Sequence, residues 1–525
     1  MPDPTPMVTP MNGAESLVQT LAHSGVDLCF TNPGTSEMHF VAALDRLPGV
    51  RCVLGLFEGV CTGAADGYWR MARQPAATLL HLGPGLGNGW ANLHNARKAR
   101  SGILNIVGDH ALEHLRFESP LKSDLDGVAG SVSHWVRHAR SAAEVGADAA
   151  AAVAATRDGA LGCIATLALP ADTAWGAGGV PQRAPAAPPA APVAGEAVDA
   201  AARTLRALGS RAVLLLGAGG SASEAALHAA AAIAAATGCR VLAEFYNPRM
   251  PGGRGRPRIE RLPYAGDAAR QKLSGAEVLV LAGSVEPIGF FAYPGKASQL
   301  KPEGCALQTL ATPQQDVPAA LQALAEALQA PSAPHADPAP LGVPSGPLTP
   351  ESIAAAIAAA LPAQAVVVDE AVTTGRGFGP AMAAAAPHDW LQGMGGAIGY
   401  GLPCAVGAAL GAPGRPVLTL EGDGSAMYTL QALWTMARES LPIGVVVFAN
   451  RAYRILQGEL QGVGARMSGP KAAAMLSLDH PALDWVALAK GQGVPGCRVD
   501  DAAALCDALK RGYAAGGPFL IEVPC

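Results

Sequence analysis

The sequence predicts an α/β protein made of three consecutive domains, each a mostly parallel sheet covered by helices on both faces. Two observations support this fold class. Short apolar runs alternate with helical patterns along the whole chain, and two Pro/Ala-rich stretches interrupt the alternation. Strand–helix alternation is typical of parallel sheets. A chain of 525 residues is also long enough to build several separate cores.

Two stretches without apolar periodicity predict the domain boundaries. Residues 179–196 and 330–350 are rich in proline and alanine, a composition typical of linkers. They separate a first domain (residues 1–178) from a central domain (197–329) and a last domain (351–525).

The first domain contains four predicted strands and four predicted helices. The strands are Val26–Thr31, Arg51–Leu54, Ala76–Leu82 and Ile103–Val107. The helices are Ala14–Ser24, Glu37–Arg46, Gly59–Arg73 and Gly87–Ala99.

The central and last domains continue the alternation, with helical patterns between the apolar runs. The predicted central strands are Ala212–Leu216, Arg240–Phe245 and Val278–Ala282. The predicted strands of the last domain are Ala365–Val368, Val417–Leu420, Gly444–Phe448 and Phe519–Val523.

Charge and cysteine usage exclude several classes of protein. The net charge is −5 and only 15% of residues are charged, so neither nucleic acid nor an acidic membrane is an expected partner. The ten cysteines never form Cys-x-x-Cys, which favours thiols in a reducing cytosol. No basic-then-apolar signal stands at the N-terminus, and no apolar run reaches the ~18–20 residues that span a bilayer. We therefore expect a soluble, cytoplasmic protein.

One motif in the last domain predicts a Mg-diphosphate site. The segment Glu421–Ser425 (EGDGS) closes one apolar run, and Asn450 closes the next, 27 residues after Asp423. This spacing places two oxygen ligands at the carboxyl ends of neighbouring parallel strands, where open α/β sheets bind ligands. Mg2+ takes one or two such protein oxygens together with substrate phosphates. The glycines beside Asp423 let backbone N–H groups approach an anion.

Two polar residues of the first domain are candidates for proton transfer, although each has a simpler interpretation. Glu58 starts a helical stretch and could be an ordinary acid at a helix N-terminus. A buried carboxyl there could instead share a proton with a heterocyclic nitrogen. His81 ends a strand before the glycine-rich segment Gly83–Gly89; it could be structural, or it could transfer protons at the sheet edge.

A third glycine-rich segment surrounds one bulky aliphatic residue. Gly393–Pro403 (GMGGAIGYGLP) places glycines on both sides of Ile398. A turn before the next helix explains part of this pattern. The rest favours a backbone that passes close to a flat ligand, with Ile398 pressed against it.

Taken together, these stretches resemble the thiamine diphosphate (ThDP) enzymes of the benzoylformate decarboxylase and acetohydroxyacid synthase superfamily. The resemblance covers essentially the whole chain. The matching pieces occur in the family's order: NPGTSE, FEGVCTGAADGYWR, HLGPGLGNG, GGAIGYGLP, and EGDGS followed by AN.

The resemblance implies roles around the organic part of the cofactor. Glu58 would hydrogen-bond N1′ of the aminopyrimidine, and the Gly396 carbonyl would receive the 4′-amino group. Ile398 would support the bent conformation of the cofactor. Thr35 and His81 resemble the polar pair on the substrate side.

The resemblance also implies the residues that hold the metal and the diphosphate. Asp423, Asn450 and the backbone carbonyl of Ala452 would bind Mg2+. The other implied cofactor contacts are Thr373, Gly424, Ser425 and Tyr453.

The implied reaction is decarboxylation of a 2-oxo acid through an ylid at the thiazolium C2 and an enamine, as in benzoylformate decarboxylase. The implied assembly is a homodimer or homotetramer with active sites at the subunit interface. Several departures qualify the match. Residues 247–264 contain no second active-site histidine, and Gly108-Asp109-His110 stands where synthases usually carry a glutamine. No flavin-binding loop is evident either, so FAD is not expected.

Three alternatives remain open. The first is an acetolactate synthase-type carboligase that joins two 2-oxo acids. The second is a dinucleotide-dependent oxidoreductase, because Leu216–Ala222 (LGAGGSA) follows a predicted strand and Glu244 lies further on. The third is a non-catalytic relative, which the presence of Glu58, Asp423 and Asn450 disfavours.

Overall fold

The fold was analysed in a computed structural model, which describes residues 10–332, 337–465 and 469–525. The chain groups into two compact units that divide between Pro188 and Pro189. Residues 333–336 of the predicted second linker lie outside the described residues.

The first unit contains one six-stranded sheet and a two-stranded hairpin. The strands are β1 (Leu28–Asn32), β2 (Arg51–Leu54), β3 (Ala76–Leu80), β4 (Ile103–Asp109), β5 (Trp135–His138), β6 (Arg157–Asp158), β7 (Leu161–Gly162) and β8 (Ile164–Pro170). The helices are α1 (Gly13–His23), α2 (Met38–Leu44), α3 (Glu58–Ala72), α4 (Leu82–Ala99), α5 (Leu125–Val132), α6 (Val145–Ala155) and α7 (Ala171–Trp175), with a 3-10 turn at Thr35–Glu37.

The main sheet of this unit is parallel, in the order β2-β1-β3-β4-β8-β5. Strands β3, β4 and β8 are buried along their whole length, which explains their continuous apolar runs. Helix α1 begins at a capping box, in which Asn12 and Glu15 each bond the other's backbone N–H. The four predicted strands are present. Strands β5 and β8 were not predicted.

The second unit begins with a five-stranded sheet. Its segment contains β9 (Ala212–Leu216), β10 (Arg240–Ala243), β11 (Met250–Gly252), β12 (Glu260–Arg261), β13 (Val278–Ala282) and β14 (Ala306–Ala311). Its helices are α8 (Gly195–Leu208), α9 (Ala218–Ser221), α10 (Glu224–Thr237), α11 (Gly266–Leu273) and α12 (Val317–Ala327), with a 3-10 turn at Gly209–Arg211. The sheet order is β12-β10-β9-β13-β14, and all pairs are parallel.

The glycines after β9 serve packing within this unit. A Cβ atom on Gly217 would overlap the carbonyl oxygen of Gly283, and one on Gly219 would lie 3.0 Å from the Val317 side chain. The helix that follows, α9, lasts only four residues. Close packing therefore accounts for the glycine pattern that had suggested a dinucleotide site.

The last part of the chain forms a seven-stranded sheet. Its strands are β15 (Ala365–Glu370), β16 (His388–Gln392), β17 (Val417–Gly422), β18 (Ile443–Ala449), β19 (Gly496–Arg498) and β20 (Phe519–Pro524), joined by β11. The helices are α13 (Pro350–Ala360), α14 (Gly379–Ala383), α15 (Gly401–Gly411), α16 (Asp423–Ala426), α17 (Ala432–Arg438), α18 (Arg454–Gly462), α19 (Pro470–Met475), α20 (Trp485–Gly491) and α21 (Ala502–Ala515), with a 3-10 turn at Thr374–Gly377.

Strand β11 comes from the central segment and pairs antiparallel with β16 at the edge of this sheet. All other pairs in the order β11-β16-β15-β17-β18-β20-β19 are parallel. The mostly parallel α/β class is thus confirmed. The central and last segments share one compact unit, because the central segment contributes an edge strand to the last sheet.

Within the described parts of the chain, none of the helices combines the length and apolar character required to cross a bilayer. All ten cysteines carry free thiols.

Candidate active site

Glu58 is the first residue of α3 and is 8% exposed. Its Oε2 accepts a hydrogen bond of 3.0 Å from the Asn88 side-chain amide. Asn88 belongs to α4, so two helices define the position of this carboxylate. Asn88 was not among the predicted site residues. Its only signal was a polar side chain inside the segment GPGLGNG.

The glycines of α4 let that helix pack closely against α3. A Cβ atom on Gly85 would lie 3.0 Å from Glu58 Oε1, and one on Gly89 would lie 2.7 Å from the Thr62 methyl group. The Thr62 hydroxyl donates to the Gly89 carbonyl at 3.0 Å. The predicted start of this helix at Gly87 was wrong: α4 begins at Leu82, and its glycines make room for the Glu58 helix.

His81 immediately precedes α4 and is bonded to a buried acid. Its Nδ1 lies 2.9 Å from Oε2 of Glu37, whose side chain is fully buried. The same oxygen accepts the Gly34 N–H at 2.7 Å. An oxygen that already accepts one N–H is best paired with a protonated Nδ1, which leaves Nε2 of the neutral ring as an acceptor. The other ring nitrogen is thereby available for proton transfer.

Glu37 itself is buried, with 1% of its surface exposed. Burial raises the pKa of Glu37, while the bonds from Gly34 and His81 oppose the rise. Its Oε1 is buried without a partner among the described residues, and a Cβ on Gly108 would overlap that oxygen. Glu37 was predicted only as the start of a helix and as part of NPGTSE, not as a site residue.

Thr35 lies next to this pair. It is exposed and begins the 3-10 turn that ends at Glu37. The His81 ring packs on Gly34, where any Cβ would overlap the imidazole. Thr35 is thus the chain neighbour of the residue on which the His81 ring packs.

In the second unit, Asp423 follows β17 and is 3% exposed. Its Oδ1 accepts the Gly424 N–H at 2.9 Å, and its Oδ2 accepts the Arg451 N–H at 2.6 Å. Burial raises the pKa of Asp423 in spite of these two donors. A cation at this carboxylate would offset the cost of burying its charge.

Asn450 follows the neighbouring strand β18 and begins a constrained turn. Its Oδ1 accepts the Ala452 N–H at 3.0 Å, and Arg451 between them has φ +55°. A left-handed conformation is uncommon in a non-glycine residue and strains the backbone. The turn is also held by backbone bonds from Tyr453 N–H to Leu476 and from Leu478 N–H to Arg451. These bonds do not use the Ala452 carbonyl.

The segment after Asp423 forms a single helical turn, α16. The Ser425 hydroxyl donates to the Gly422 carbonyl at 3.0 Å. The Tyr453 ring lies against Gly424, where a Cβ would be 2.5 Å from the ring. Gly424, Ser425 and Tyr453 are thus neighbours at the carboxyl end of β17.

Thr373 occupies the corresponding position after β15, the next strand of the sheet. Val372, just before it, has φ +47°. A β-branched residue rarely adopts this conformation, because its side chain crowds the backbone. Two loops beside the predicted diphosphate site, at Val372 and at Arg451, therefore carry backbone strain.

Gly396 and Ile398 lie in the turn between β16 and α15. Gly396 has φ +73°, and a Cβ there would be 2.5 Å from the Phe290 ring. Gly399 has φ +91°, and its Cβ would be 2.6 Å from Tyr428. Both positions require glycine, and Ile398 is the bulky side chain between them.

The oxygen donors of the second unit fit a hard divalent cation. A carboxylate, an amide and a backbone carbonyl are the ligands that Mg2+ takes when phosphate oxygens complete its octahedron. Across the described residues there is no cluster of three or more His, Cys, Asp or Glu side chains arranged to hold a metal. A metal at Asp423 would therefore depend on the bound diphosphate as well.

Comparisons with known proteins agree with this architecture. Residues 11–131 match the family described as thiamine pyrophosphate enzyme, N-terminal TPP binding domain, and residues 376–523 match its C-terminal TPP binding domain. A Mycobacterium tuberculosis protein with the provisional name acetolactate synthase large subunit is 51% identical over 521 residues, covering 98% of this chain and 99% of that protein.

Two further relatives are decarboxylases by name. Benzoylformate decarboxylase of Pseudomonas aeruginosa is 31% identical, over 96% of this chain and 97% of that protein. A solved structure of a ThDP-dependent 4-hydroxybenzoylformate decarboxylase from Rhodococcus jostii superposes with a TM-score of 0.83 at 25% identity, over 98% of this chain and 99% of that one. This chain belongs to the thiamine diphosphate-dependent enzymes, a family whose members include decarboxylases and acetolactate synthases.

Proposed function

We propose that this enzyme decarboxylates a 2-oxo acid with ThDP and Mg2+. The observation that supports this most directly is the buried Glu58 carboxylate, held at the start of α3 by Asn88. A carboxyl in this position can exchange a proton with a ring nitrogen of the cofactor. The oxygen set around Asp423 would hold the metal and the diphosphate.

When bound, ThDP would supply the electron sink that decarboxylation needs. The protein would supply orientation and proton transfer. Glu58 would hold a proton at N1′ of the aminopyrimidine, and Gly396 and Ile398 would support that ring. His81 would move a proton through Nε2 at the substrate, with Thr35 beside it.

We propose that the site is completed between subunits of a homodimer or homotetramer. Glu58, His81 and Thr35 belong to the first compact unit of the chain, whereas Gly396, Ile398 and the residues proposed for the metal and the diphosphate belong to the second. In the arrangement that we propose, the first segment of one subunit faces the last segment of another.

The second candidate is an acetolactate-forming carboligase, favoured by the name of the relative at 51% identity. Both reactions release carbon dioxide, so analysis of the organic product with a panel of 2-oxo acids, including pyruvate and benzoylformate, would separate the two. We expect an aldehyde as the main product. Acetolactate from pyruvate as the main product would overturn the first proposal in favour of the second.

The hydrogen bond between Glu37 and His81 predicts that both residues contribute to proton transfer. Replacement of His81 by alanine should lower kcat by about 100-fold or more, the usual contribution of a positioned acid or base. Glu37→Ala should approach this loss, because Nδ1 of His81 loses its acceptor. Glu37→Gln, which keeps an acceptor, should recover part of the rate.

The double variant tests whether Glu37 acts through His81. Residues that work as a unit give losses that do not multiply. We therefore expect Glu37→Ala/His81→Ala to be no slower than His81→Ala alone, with unchanged ThDP affinity. Multiplied losses in steady-state kinetics would show that the two residues act independently.

A further inference from the structure

Glu370, the last residue of β15, binds the turn that carries Ile398. It is 4% exposed. Its Oε1 accepts the N–H of Gly399 at 2.7 Å and that of Tyr400 at 3.4 Å, and its Oε2 accepts the N–H of Gly401 at 2.8 Å. One side chain thus holds three consecutive backbone donors, immediately after Ile398.

These bonds fix both the turn and the helix that follows it. Gly401 is the first residue of α15, so the Glu370 carboxylate lies at the positive end of an eleven-residue helix. A second tether reaches the same turn: the buried Thr429 hydroxyl donates to the Gly399 carbonyl at 2.9 Å. The backbone of Gly399 is therefore held on both its N–H and its carbonyl side.

Another acid stands beside Glu370 in the sheet. Its register neighbour on β17 is Glu421, whose Oε1 accepts the Thr419 hydroxyl at 2.9 Å. Burial raises the pKa of Glu370 to about 7; the N–H groups of Gly401 and Gly399 oppose this rise most strongly, followed by the Glu421 carboxyl and the Tyr400 N–H. The N–H groups of the turn are thus the main groups that stabilise the charged form. The carboxylate and the turn depend on each other.

We propose that Glu370 is a positioning residue, which fixes the Gly396–Gly401 turn so that Ile398 supports the organic part of the cofactor. The inference rests on the proposed function, because it assigns Ile398 to ThDP. Glu370 lies in the sheet interior and, in this proposal, touches neither cofactor nor substrate. Its effect would be confined to the part of ThDP beyond the diphosphate.

A variant that binds ThDP more weakly but inorganic diphosphate normally would support this role, because a general loss of stability would weaken both. In Glu370→Gln the amide NH2 would face at least one backbone N–H, so one charge-assisted bond would be replaced by two opposed donors. Bonds of this kind correspond to about a tenfold to hundredfold change in an equilibrium. Titration calorimetry with ThDP plus Mg2+ should show this loss of affinity. With inorganic diphosphate plus Mg2+, the affinity should stay within about twofold of wild type.

Two further variants support the test. Glu522→Gln removes another buried carboxylate of the same sheet, one that lies 3.6 Å from Arg498, and should leave ThDP affinity within about twofold. Thr429→Val removes the second tether and should weaken ThDP binding by about threefold without affecting diphosphate. It also provides the test if Glu370→Gln does not fold.

The outcomes separate this inference from the proposed function. If wild-type protein binds ThDP but Glu370→Gln binds it equally well, the positioning role is wrong. Equal losses for ThDP and diphosphate would also overturn it. If wild-type protein does not bind ThDP with Mg2+, the proposed function itself fails.

Discussion

Glu58→Gln should reduce turnover by about 100- to 10,000-fold while ThDP and Mg2+ still bind. The expected loss is that of a proton-transfer group held in position, and the amide of glutamine cannot hold or release the proton. Asn88 would still face an acceptor oxygen in the variant, so the start of α3 should keep its geometry. Steady-state kinetics and ThDP titration on the same preparation would measure both effects.

Glu15→Gln is the matched control for a simpler interpretation of Glu58. Glu15 also lies in the first turn of a helix, α1, and its side chain is largely buried. Loss of a charge near a helix N-terminus costs about 0.3–1 kcal/mol of stability in either variant. Only Glu58→Gln should lose activity. If both variants keep near-wild-type kcat, Glu58 is an ordinary helix acid and the proton-sharing role is wrong.

Asp423→Asn should remove most of the metal-dependent affinity for ThDP. The carboxylate is the one charged oxygen donor in the proposed set, and an amide oxygen is a weaker ligand for Mg2+. Mutation of residues that hydrogen-bond a metal ligand lowers metal affinity by about 10–100-fold. Loss of a direct ligand should therefore lower it by at least about 100-fold. Titration calorimetry with ThDP, in Mg2+ and in EDTA, would measure the loss.

Asp423→Asn should remain folded, and its free energy of unfolding without ligand should show what the buried charge costs. Burial raises the pKa of Asp423, which means that the protein holds this charge at a cost when no cation is bound. Without ligand, Asp423→Asn should therefore stay within about 1 kcal/mol of wild type, because the amide removes the buried charge but turns its NH2 toward one of the two backbone N–H donors. Asp484→Asn is the control for replacing an aspartate that accepts a backbone N–H. Asp484 accepts the Ala487 N–H at 2.9 Å at the start of α20. Wild-type ThDP affinity in Asp423→Asn would contradict the proposed metal site.

The positions of β17 and β18 could be predicted because buried parallel strands leave continuous apolar runs, although the buried strand β8 was missed. The runs at Val417–Leu420 and Gly444–Phe448 lie inside β17 and β18, so the sequence spacing placed Asp423 and Asn450 on adjacent strand ends. Edge strands leave a weaker pattern. Strand β5 is only partly buried, and β11 contains Pro251, so neither produced a recognisable run.

The residues that support the candidate site were harder to find. Glu37, Asn88 and Glu370 act through bonds to other elements, at sequence separations of 44, 30 and 29–31 residues. No local pattern records such partners. Helix starts were ambiguous for a similar reason: the glycines after His81 have low helix propensity, but tertiary packing against α3 keeps them helical from Leu82 onward.

The pairing of the edge strand β11 affects how this chain folds during its synthesis. It is synthesised more than a hundred residues before β16, the strand with which it pairs. Pairing over such a distance forms late, since a long loop must first be closed. The Arg249 guanidinium, just before β11, then reaches the Asp389 carboxylate on β16 at 3.1 Å. A fragment restricted to residues 351–525 would expose the β16 edge to strands of other molecules, so expressing it alone should favour aggregation over folding.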